Sequence, residues 1–363
     1  MKKNLINNYF QTLLVVFASL TILSACNKEL VTATPILYPK SGDTTIGGIL
    51  NRDATLSFYK AAVIKLGLTN LLNDTTTNFT AFIPNNTAFI NIGITSIAVI
   101  NSLPATTLSP LINYTLIPGE QFVDTLTPVT TAFPNVQLPS YFTISGIPGT
   151  ALPINMPLFP SKRPNGFWIN NIPIIASNLR VKNGIIHIVR DIVAPPSQVL
   201  AQVLGFNPNL SLFNAAINRA DSGQVPGTSS LNYVLAFPIA NLTVFAPTNA
   251  AFAGIAITTA AQINAMPVQT VRALVVYHFL PSRAFSVNFP TTQTSFPTLL
   301  NSVVPTHQGL LIQSTLVGGY GAALQITGAN NGGIAANSTA PTNLDQNAVN
   351  GVVHVIDRVL RPF

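Results

Sequence analysis

Four histidines are the side chains of this 363-residue sequence best suited to chemistry at neutral pH. They are His187, His278, His307 and His354. A metal site needs at least three convergent ligands, and no two of these histidines have a close ligand spacing such as His-x-x-x-His. His187 and His354 instead hold the same place in a phrase that occurs twice, at 183–189 and 350–356. We therefore expect each to be a half-buried strand histidine whose ring N–H bonds a backbone carbonyl.

The acidic residues do not form a catalytic arrangement either. The sequence has only 10 of them, and none makes a close doublet. Acid–base or nucleophilic catalysis needs paired carboxylates or a nucleophile beside a base. Gly-x-Ser-x-Gly, His-Glu-x-x-His and phosphate-binding glycine motifs are missing from the sequence. We predict no catalytic residue, no metal and no cofactor, a hairpin turn at 318–321, and an ion pair between Asp357 and Arg358.

Composition points to an exported protein. Hydrophobic residues make up 48% and charged residues 7% of the sequence, against a usual charged share of about 25%. The formal net charge of +7 comes from 17 basic and 10 acidic residues. The basic residues are scattered, whereas a nucleic-acid partner requires a concentrated basic surface. We therefore predict no nucleic-acid binding.

The N-terminus predicts a lipid anchor. Lys2 and Lys3 precede an apolar run over about 9–23, and small residues lead directly to Cys26. This order is typical of a signal peptide, and it resembles the signal of bacterial lipoproteins. Cys26 is the only cysteine, so it cannot form an internal disulfide and is best used as a lipid attachment site. The alternative is an N-terminal anchor helix with an incidental cysteine.

From this signal we predict the protein's location and its first segments. Residues 1–25 would be the removed signal peptide, and residues 26–45 the lipidated N-terminus and a polar tether. The residue after Cys26 is not aspartate, which favours the outer membrane by analogy with bacterial lipoproteins. We expect a lipid-anchored protein of the cell envelope, and periplasmic and surface-exposed display both stay open.

The rest of the sequence reads as a duplication. Four segments recur in the same order, and the last of them is the repeated Asn-Gly-x-x-His phrase. The pairs are 56–62 with 210–216, 79–85 with 242–248, 111–114 with 274–277, and 183–189 with 350–356. We therefore predict two domains, 46–195 and 196–363, that meet at Pro195-Pro196.

Each recurring segment predicts an element. The first and third have apolar residues at helical spacing, and the second is an apolar strand that ends at a proline. Asn85 and Thr248 are then placed to cap a short helix. The fourth alternates like a strand that is half buried, after an Asn-Gly pair suited to positive φ. Segments rich in Val, Ile and Thr lie between the third and fourth, so each unit is of the α+β class.

The order of these landmarks resembles that of fasciclin domains. The second unit has all of them, at 243–252, at Tyr277-His278 and at 350–357. The first unit departs from the pattern by carrying Thr115 where His278 stands. The resemblance implies two tandem fasciclin-like domains, each a β-wedge or sandwich packed with several short helices, and a role in adhesion or extracellular interaction.

The resemblance also directs attention to candidate interaction residues. Tyr277 and His278 stand near the end of a helix, where a core role for His278 is favoured over recognition. Trp168, the only tryptophan, follows a turn-rich basic stretch; it is either strand core or an exposed anchor for a sugar ring or protein. We expect a non-catalytic, lipid-anchored adhesion protein whose partner is an envelope or extracellular protein or glycan. The alternative is an accessory binder of polysaccharide or another small ligand.

Overall fold

The fold was analysed in a computed structural model. It describes residues 43–125, 137–145, 153–164, 166–225, 227 and 229–363. The predicted signal peptide, Cys26 and most of the tether lie outside these residues.

The first domain begins with helices and ends with strands, as the sequence predicts. Its helices are α1 (Ile46–Arg52), α2 (Ser57–Lys65), α3 (Thr69–Asn73), α4 (Asn86–Asn91), α5 (Ile97–Ser102) and α6 (Ala105–Asn113). Its strands are β1 (Phe79–Pro84), β2 (Leu116–Pro118), β3 (Leu138–Ile144), β4 (Ile154–Leu158), β5 (Pro160–Arg163), β6 (Gly166–Ile169), β7 (Ile172–Val181) and β8 (Gly184–Val189).

The second domain repeats the early part of this order. Its helices are α7 (Leu200–Gly205), α8 (Ser211–Ala220), α9 (Leu231–Ala236), α10 (Asn249–Ala253), α11 (Ala260–Ala265) and α12 (Val268–Tyr277). Its strands are β9 (Leu242–Pro247), β10 (Phe279–Leu280), β11 (Thr294–Phe296), β12 (Leu310–Val317), β13 (Tyr320–Thr327), β14 (Ala336–Thr339), β15 (Gln346–Ala348) and β16 (Gly351–Ile356). The predicted turn at 318–321 is confirmed, because β12 and β13 pair across Gly318 and Gly319.

The two domains share a central motif in which the closing strand runs parallel to the first strand. In the first domain β8 pairs with β1 from Phe79 opposite Gly184 to Pro84 opposite Val189. In the second domain β16 pairs with β9 over six residue pairs in the same register. A parallel pair needs a long crossover between its strands, and α4–α6 or α10–α12 supply it together with the strands that follow them.

The sheets differ outside this motif. The first domain has a six-stranded sheet in the order β2-β1-β8-β7-β6-β5 and a separate β3-β4 hairpin. The second domain divides its strands between a sheet β10-β9-β16-β15 and a meander β11-β12-β13-β14. The strands between the third and fourth recurring segments therefore account for most of the difference between the two copies.

Local chemistry explains where the helices begin. The Asn85 side chain accepts from the Ala88 N–H at the start of α4, and the Thr248 side chain accepts from the Ala251 N–H at the start of α10. Both contacts satisfy a backbone donor that has no partner inside the helix, which confirms the predicted caps. Phe89 and Phe252 on these helices are fully buried, so the caps also fix the core.

Candidate functional site

The repeated Asn-Gly-x-x-His phrase is the best candidate for a site, and its asparagine joins three elements in each domain. The Asn183 side chain accepts from the Ile46 N–H (2.8 Å) and donates to Leu72 O and Asp74 O (both 2.9 Å). The Asn350 side chain makes the matching bonds to Leu200 N, Leu235 O and Phe237 O (2.7, 2.9 and 2.9 Å). Both side chains are buried with these polar atoms satisfied, which is the arrangement of a structural clamp.

The glycine after each asparagine is required by close packing. A Cβ atom on Gly184 would lie 1.8 Å from Phe79 O, and one on Gly351 would lie 2.2 Å from Leu242 O. Gly184 also has a φ of 137°, which other residues rarely adopt. The sequence-based expectation of a turn with positive φ thus describes only the first copy. What the copies share is a strand start that lies against the neighbouring backbone.

The two strand histidines bond in the same way. His187 Nδ1 accepts from the Asn178 N–H (3.1 Å), so Nε2 carries the proton and donates to Gln121 O (2.9 Å). His354 Nδ1 accepts from the Asp345 N–H (3.3 Å), and its Nε2 donates to Ala284 O (3.0 Å). The predicted bond from a ring N–H to a backbone carbonyl is confirmed in both copies.

The prediction that these histidines are half buried is wrong. Every residue of β8 and β16 is buried, and both rings have an exposed fraction of 0%. The reason is that each closing strand lies inside a sheet that is covered on both faces. Each ring also stacks on a phenylalanine of the first strand, Phe82 or Phe245. Burial lowers the pKa of His187 to about 4 and lowers that of His354, so both rings are neutral at pH 7.

A threonine completes this polar group in each domain. Thr80 Oγ1 donates to Gly119 O and accepts from the Gln121 N–H (2.7 and 2.9 Å). Thr243 Oγ1 makes the same contacts with Ser282 O and the Ala284 N–H (both 2.7 Å). One residue thus bonds the threonine through its N–H and the histidine through its carbonyl. The group holds the chain that follows β2 in the first domain, or β10 in the second, against the sheet, and it leaves neither histidine able to act as a base.

His278 is also a core residue, as the sequence predicts from its inward position. Its Nδ1 donates to Leu274 O (2.8 Å), and its Nε2 accepts from the Leu360 N–H (3.0 Å). Burial lowers the pKa of His278 to about 4. The first domain replaces this ring with Thr115, whose hydroxyl donates to Ile112 O and lies 3.2 Å from Tyr59 Oη.

This exchange involves a second position. Tyr59 corresponds to Phe213, whose ring packs 5.5 Å from that of His278. In the first domain the long polar side chain is Tyr59, which lies on α2, and the short one is Thr115, which follows α6. In the second domain the long polar side chain is His278, which follows α12, and the facing helix α8 carries the apolar ring of Phe213. Each domain thus places one aromatic ring and one hydrogen-bonding side chain at this pair, and in both the residue after the helix bonds a carbonyl of that helix, Ile112 O or Leu274 O.

Tyr277 is buried as well and bonds only within the molecule. Its hydroxyl lies 3.2 Å from Gly309 O and accepts from the Ala329 N–H (3.0 Å). The corresponding Tyr114 hydroxyl donates to Pro157 O (2.9 Å). Burial raises the pKa of Tyr114 to about 12, so its hydroxyl stays neutral. Tyr277 and His278 therefore do not reach an outside partner in this conformation.

The ion pair predicted for Asp357 and Arg358 is not formed. The Asp357 carboxylate instead accepts from the Asn337 N–H (2.7 Å) and from Asn337 Nδ2 (3.1 Å). Adjacent residues at a strand end point apart, whereas Asn337 near the start of β14 presents its backbone and side-chain N–H groups directly to the carboxylate. Asp357 thus ties β14 to the closing strand.

Trp168 lies at the contact between the two domains. It has an exposed fraction of 2%, and its Nε1 donates to Gly319 O of the second domain (2.6 Å). It packs in a cluster with Phe159, Phe285, Val287 and Val352. Of the two alternatives that the sequence left for Trp168, the exposed anchor for a sugar ring or protein is therefore wrong. Its partner is the other half of the same chain.

Polar contacts surround this apolar cluster. Arg163, which is 7% exposed, donates from Nη1 to Val287 O (2.9 Å). Arg190 donates to Gly318 O, and the Tyr320 hydroxyl donates to the Asp191 carboxylate. We call these contacts, together with the cluster around Trp168, the domain interface. The guanidinium groups of Arg163 and Arg190 donate to backbone carbonyls, so these two contacts do not need a carboxylate in the other domain.

Other kinds of site are limited by what the described residues contain. Among residues 43–363 with the gaps given above, no group of three His, Cys, Asp or Glu side chains could hold a metal ion. Within the same residues no helix is long and apolar enough to cross a membrane.

Sequence reasoning missed the asparagine clamp and the domain interface. The clamp had a signal in the sequence, because an asparagine precedes the glycine in both copies. Asn183 and Asn350 could therefore have been interpreted as buried structural residues rather than as turn residues. The interface had none, since Trp168, Arg163 and Tyr320 have no counterpart in a repeat or spacing pattern.

Comparisons with known proteins agree with this architecture. The family model described as the fasciclin domain matches twice, at residues 54–195 and 209–362. The chain belongs to the fasciclin family and contains two fasciclin domains. Fasciclin domains are associated with cell adhesion and are in general non-enzymatic.

A solved structure is also similar. It is a fasciclin domain pair from the insect cell adhesion molecule Fasciclin I, which covers 86% of this chain and 98% of its own at 15% identity, with a TM-score of 0.36. No curated protein matches this chain.

Proposed function

We propose that this protein is a lipid-anchored, non-catalytic adhesion protein of the cell envelope. Its two fasciclin domains would act as one body. The observation that carries the proposal is that the two domains contact each other through Trp168. The side chains of His187, His278, His354, Tyr114 and Tyr277 meanwhile bond within the chain. A partner would therefore contact the outer surface of the two joined domains.

The character of that surface supports contact adhesion. Charged residues make up only 7% of the sequence, so long-range attraction of a charged partner would be weak. Large apolar side chains are exposed at several places, and the second domain contributes Phe206, Tyr233, Val303 and Val317 among them. A neutral, amide-rich surface with separate apolar side chains suits many weak contacts, which multiply when the proteins are fixed to a membrane.

The lipid anchor rests on the N-terminal sequence. The apolar run that ends at Cys26 supports attachment through the only cysteine of the chain. A segment of about 20 residues then separates this cysteine from α1. The polysaccharide alternative depended on an exposed Trp168, and the burial of that residue leaves it without this support.

The test compares producing cells that carry the wild-type chain, the Cys26→Ala variant or no chain. We expect the wild-type chain in the membrane fraction with the mass of a lipidated form, and the variant in the soluble fraction or unprocessed. Attachment of cells to a protein-coated surface should fall in both altered strains and should change little with salt. Unchanged partitioning and mass of the variant would refute the anchor. Equal attachment of cells without the chain would refute adhesion.

A further inference from the structure

A cleft of about 320 Å³ lies between the two domains, beside the domain interface. The first domain lines it with the β3–β4 hairpin and Phe159, and the second with the loop before β9, Arg283 and the turn before β16. Ligand sites commonly occupy clefts between domains, and this volume is at the small end of their usual range. The cleft is therefore suited to a small molecule rather than to a polymer.

Arg283 is the charged group of this cleft. Its side chain is 95% buried, because its exposed fraction is 5%. Nε donates to Asn241 Oδ1 (2.8 Å), Nη1 to Asn347 Oδ1 and Ala348 O (2.6 and 3.0 Å), and Nη2 to Val349 O (2.9 Å). The guanidinium also lies 4.3 Å from the ring centre of Phe159. A guanidinium has five N–H donors, so one N–H on Nη2 has no partner among the described residues.

The positive charge of Arg283 is not balanced locally. Among the described residues no carboxylate forms an ion pair with it; Asp221 pairs with Arg272, and Asp345 lies 3.9 Å from the neutral ring of His354. The group that affects it electrostatically is Tyr114, which is neutral at pH 7. Burial lowers the pKa of Arg283 to about 10, so the side chain still carries its charge. A buried cation without a counter-ion is costly, and an anion bound beside it would offset that cost.

We propose that this cleft binds a small amphiphilic carboxylate, with the carboxylate at Arg283 and the apolar part against Ile154, Met156 and Ile239. These three side chains line the cleft, and Ile239 reaches solvent with an exposed fraction of 66%. The site is separate from the adhesive surface of the proposed function. It needs both domains, because Phe159 and Ile154 come from the first and Arg283 and Ile239 from the second.

The lining favours a carboxylate over other anions. Arg283 is the only ionisable side chain among the described residues that line the cleft, whereas a phosphate dianion is better matched by two cations or by a helix N-terminus. Most of the remaining wall is apolar, with asparagine and glutamine amides at a few points. A single negative charge on an alkyl or aromatic body matches that distribution.

The test is a calorimetric titration of the purified full chain with octanoate and, as a neutral probe of the same length, octanamide. We expect one octanoate to bind per chain and octanamide to bind at least about tenfold more weakly, because it cannot form the charge-assisted bond with Arg283. Equal binding of the two probes, or no heat from octanoate at millimolar concentration, would overturn the proposal.

Two exposed positions give a matched pair of variants that should fold normally. Ile239→Glu places a negative charge at the cleft, and Val303→Glu places one on the same domain at a side chain that is 77% exposed and does not line the cleft. We expect octanoate affinity to fall at least about tenfold in the first variant and to stay at the wild-type value in the second. The same affinity in both variants would show that octanoate binds elsewhere, and the proposal would then be wrong.

Discussion

At the residue scale, His187, His278 and His354 act as neutral hydrogen-bonding groups. His187 and His354 each donate one ring N–H to a carbonyl and accept one backbone N–H, and His278 does the same with its nitrogens exchanged. An imidazole is useful here because it joins a backbone donor and a backbone acceptor on opposite sides of one flat ring. Protonation would turn the accepting nitrogen into a donor that faces another N–H.

This arrangement predicts a loss of stability in mild acid. Burial lowers the pKa of His187 and of His278 from the ordinary 6.5 to about 4, so the unfolded chain binds protons that the folded chain excludes. Their contribution is therefore complete above pH 6.5 and is lost as the pH falls from 6.5 towards 4. Each ring should account for a loss on the order of 3 kcal/mol in the free energy of unfolding over that range. Urea unfolding at pH 7 and pH 5 covers the upper part of that range and should show a loss of about 2 kcal/mol for each ring.

His278→Gln serves as the control for this pH effect. The variant should be less stable at pH 7, since glutamine cannot bond Leu274 O and the Leu360 N–H in the same geometry, but its stability should fall less between pH 7 and pH 5. Most carboxylates stay ionised over that interval, so they add little. A free energy of unfolding that is flat or rises on acidification would contradict the neutral core histidines.

At the element scale, each domain is organised by the parallel pair formed by its first and last strands. The asparagine clamp fixes the start of the last strand to the first helix, and the polar group around histidine and threonine fixes its middle. A basic side chain adds a further link in both copies. Lys65 donates to Ile100 O at the end of α5, and Arg219 donates to Met266 O after α11. Cations at these helix ends complement the helix dipole.

A glycine substitution tests whether this strand pair controls the domain. Gly351→Ala would place its Cβ 2.2 Å from Leu242 O and 2.7 Å from Leu200 Cδ1, so β16 would have to move away from β9. We expect the free energy of unfolding to fall by about 3 kcal/mol. Thermal or urea unfolding followed by circular dichroism measures the change.

Gly205→Ala is the matched control, because a Cβ there has no heavy atom within 4 Å. Gly205 ends α7 in the same domain, and alanine should leave stability unchanged or raise it by up to about 1 kcal/mol. If the two alanine variants were equally stable, close backbone contact would not be the reason for the repeated glycine.

At the scale of the whole molecule, the two domains form one body rather than two modules on a linker. Trp168 packs in one cluster with the second domain's Phe285 and Val352 and bonds the turn at Gly319, while Arg163 bonds Val287 O. An apolar contact with satisfied polar edges resists hinge motion more than the usual polar interface between domains. The two domains should therefore unfold together.

Trp168→Ala should separate that unfolding into two steps. Removal of the ring leaves a cavity in the interface, and we expect the overall free energy of unfolding to fall by about 3 kcal/mol. Calorimetry should then show two transitions in place of one. Trp168→Phe keeps an aromatic ring in the cluster but removes the bond to Gly319 O and part of the ring volume; it should cost less, about 2 kcal/mol, and keep a single transition.

Phe206→Ala gives the surface control for this comparison, since Phe206 is 69% exposed and lies outside the interface. It should change stability by no more than about 0.5 kcal/mol. A single transition with an unchanged midpoint in Trp168→Ala would mean that the interface does not couple the domains.

The sequence by itself determined the family, the duplication, the strand and helix types, the caps at Asn85 and Thr248, and the inward position of His278. All of these follow from short-range patterns, since periodicity, caps and repeats are written within a few residues of one another. Tertiary structure decided the rest. It showed that the strand histidines are fully buried, that Asp357 bonds Asn337, that Trp168 faces the other domain and that Arg283 lies in a cleft between them. These outcomes depend on contacts between residues far apart in the chain, and a repeat cannot reveal a contact that each copy makes with the other.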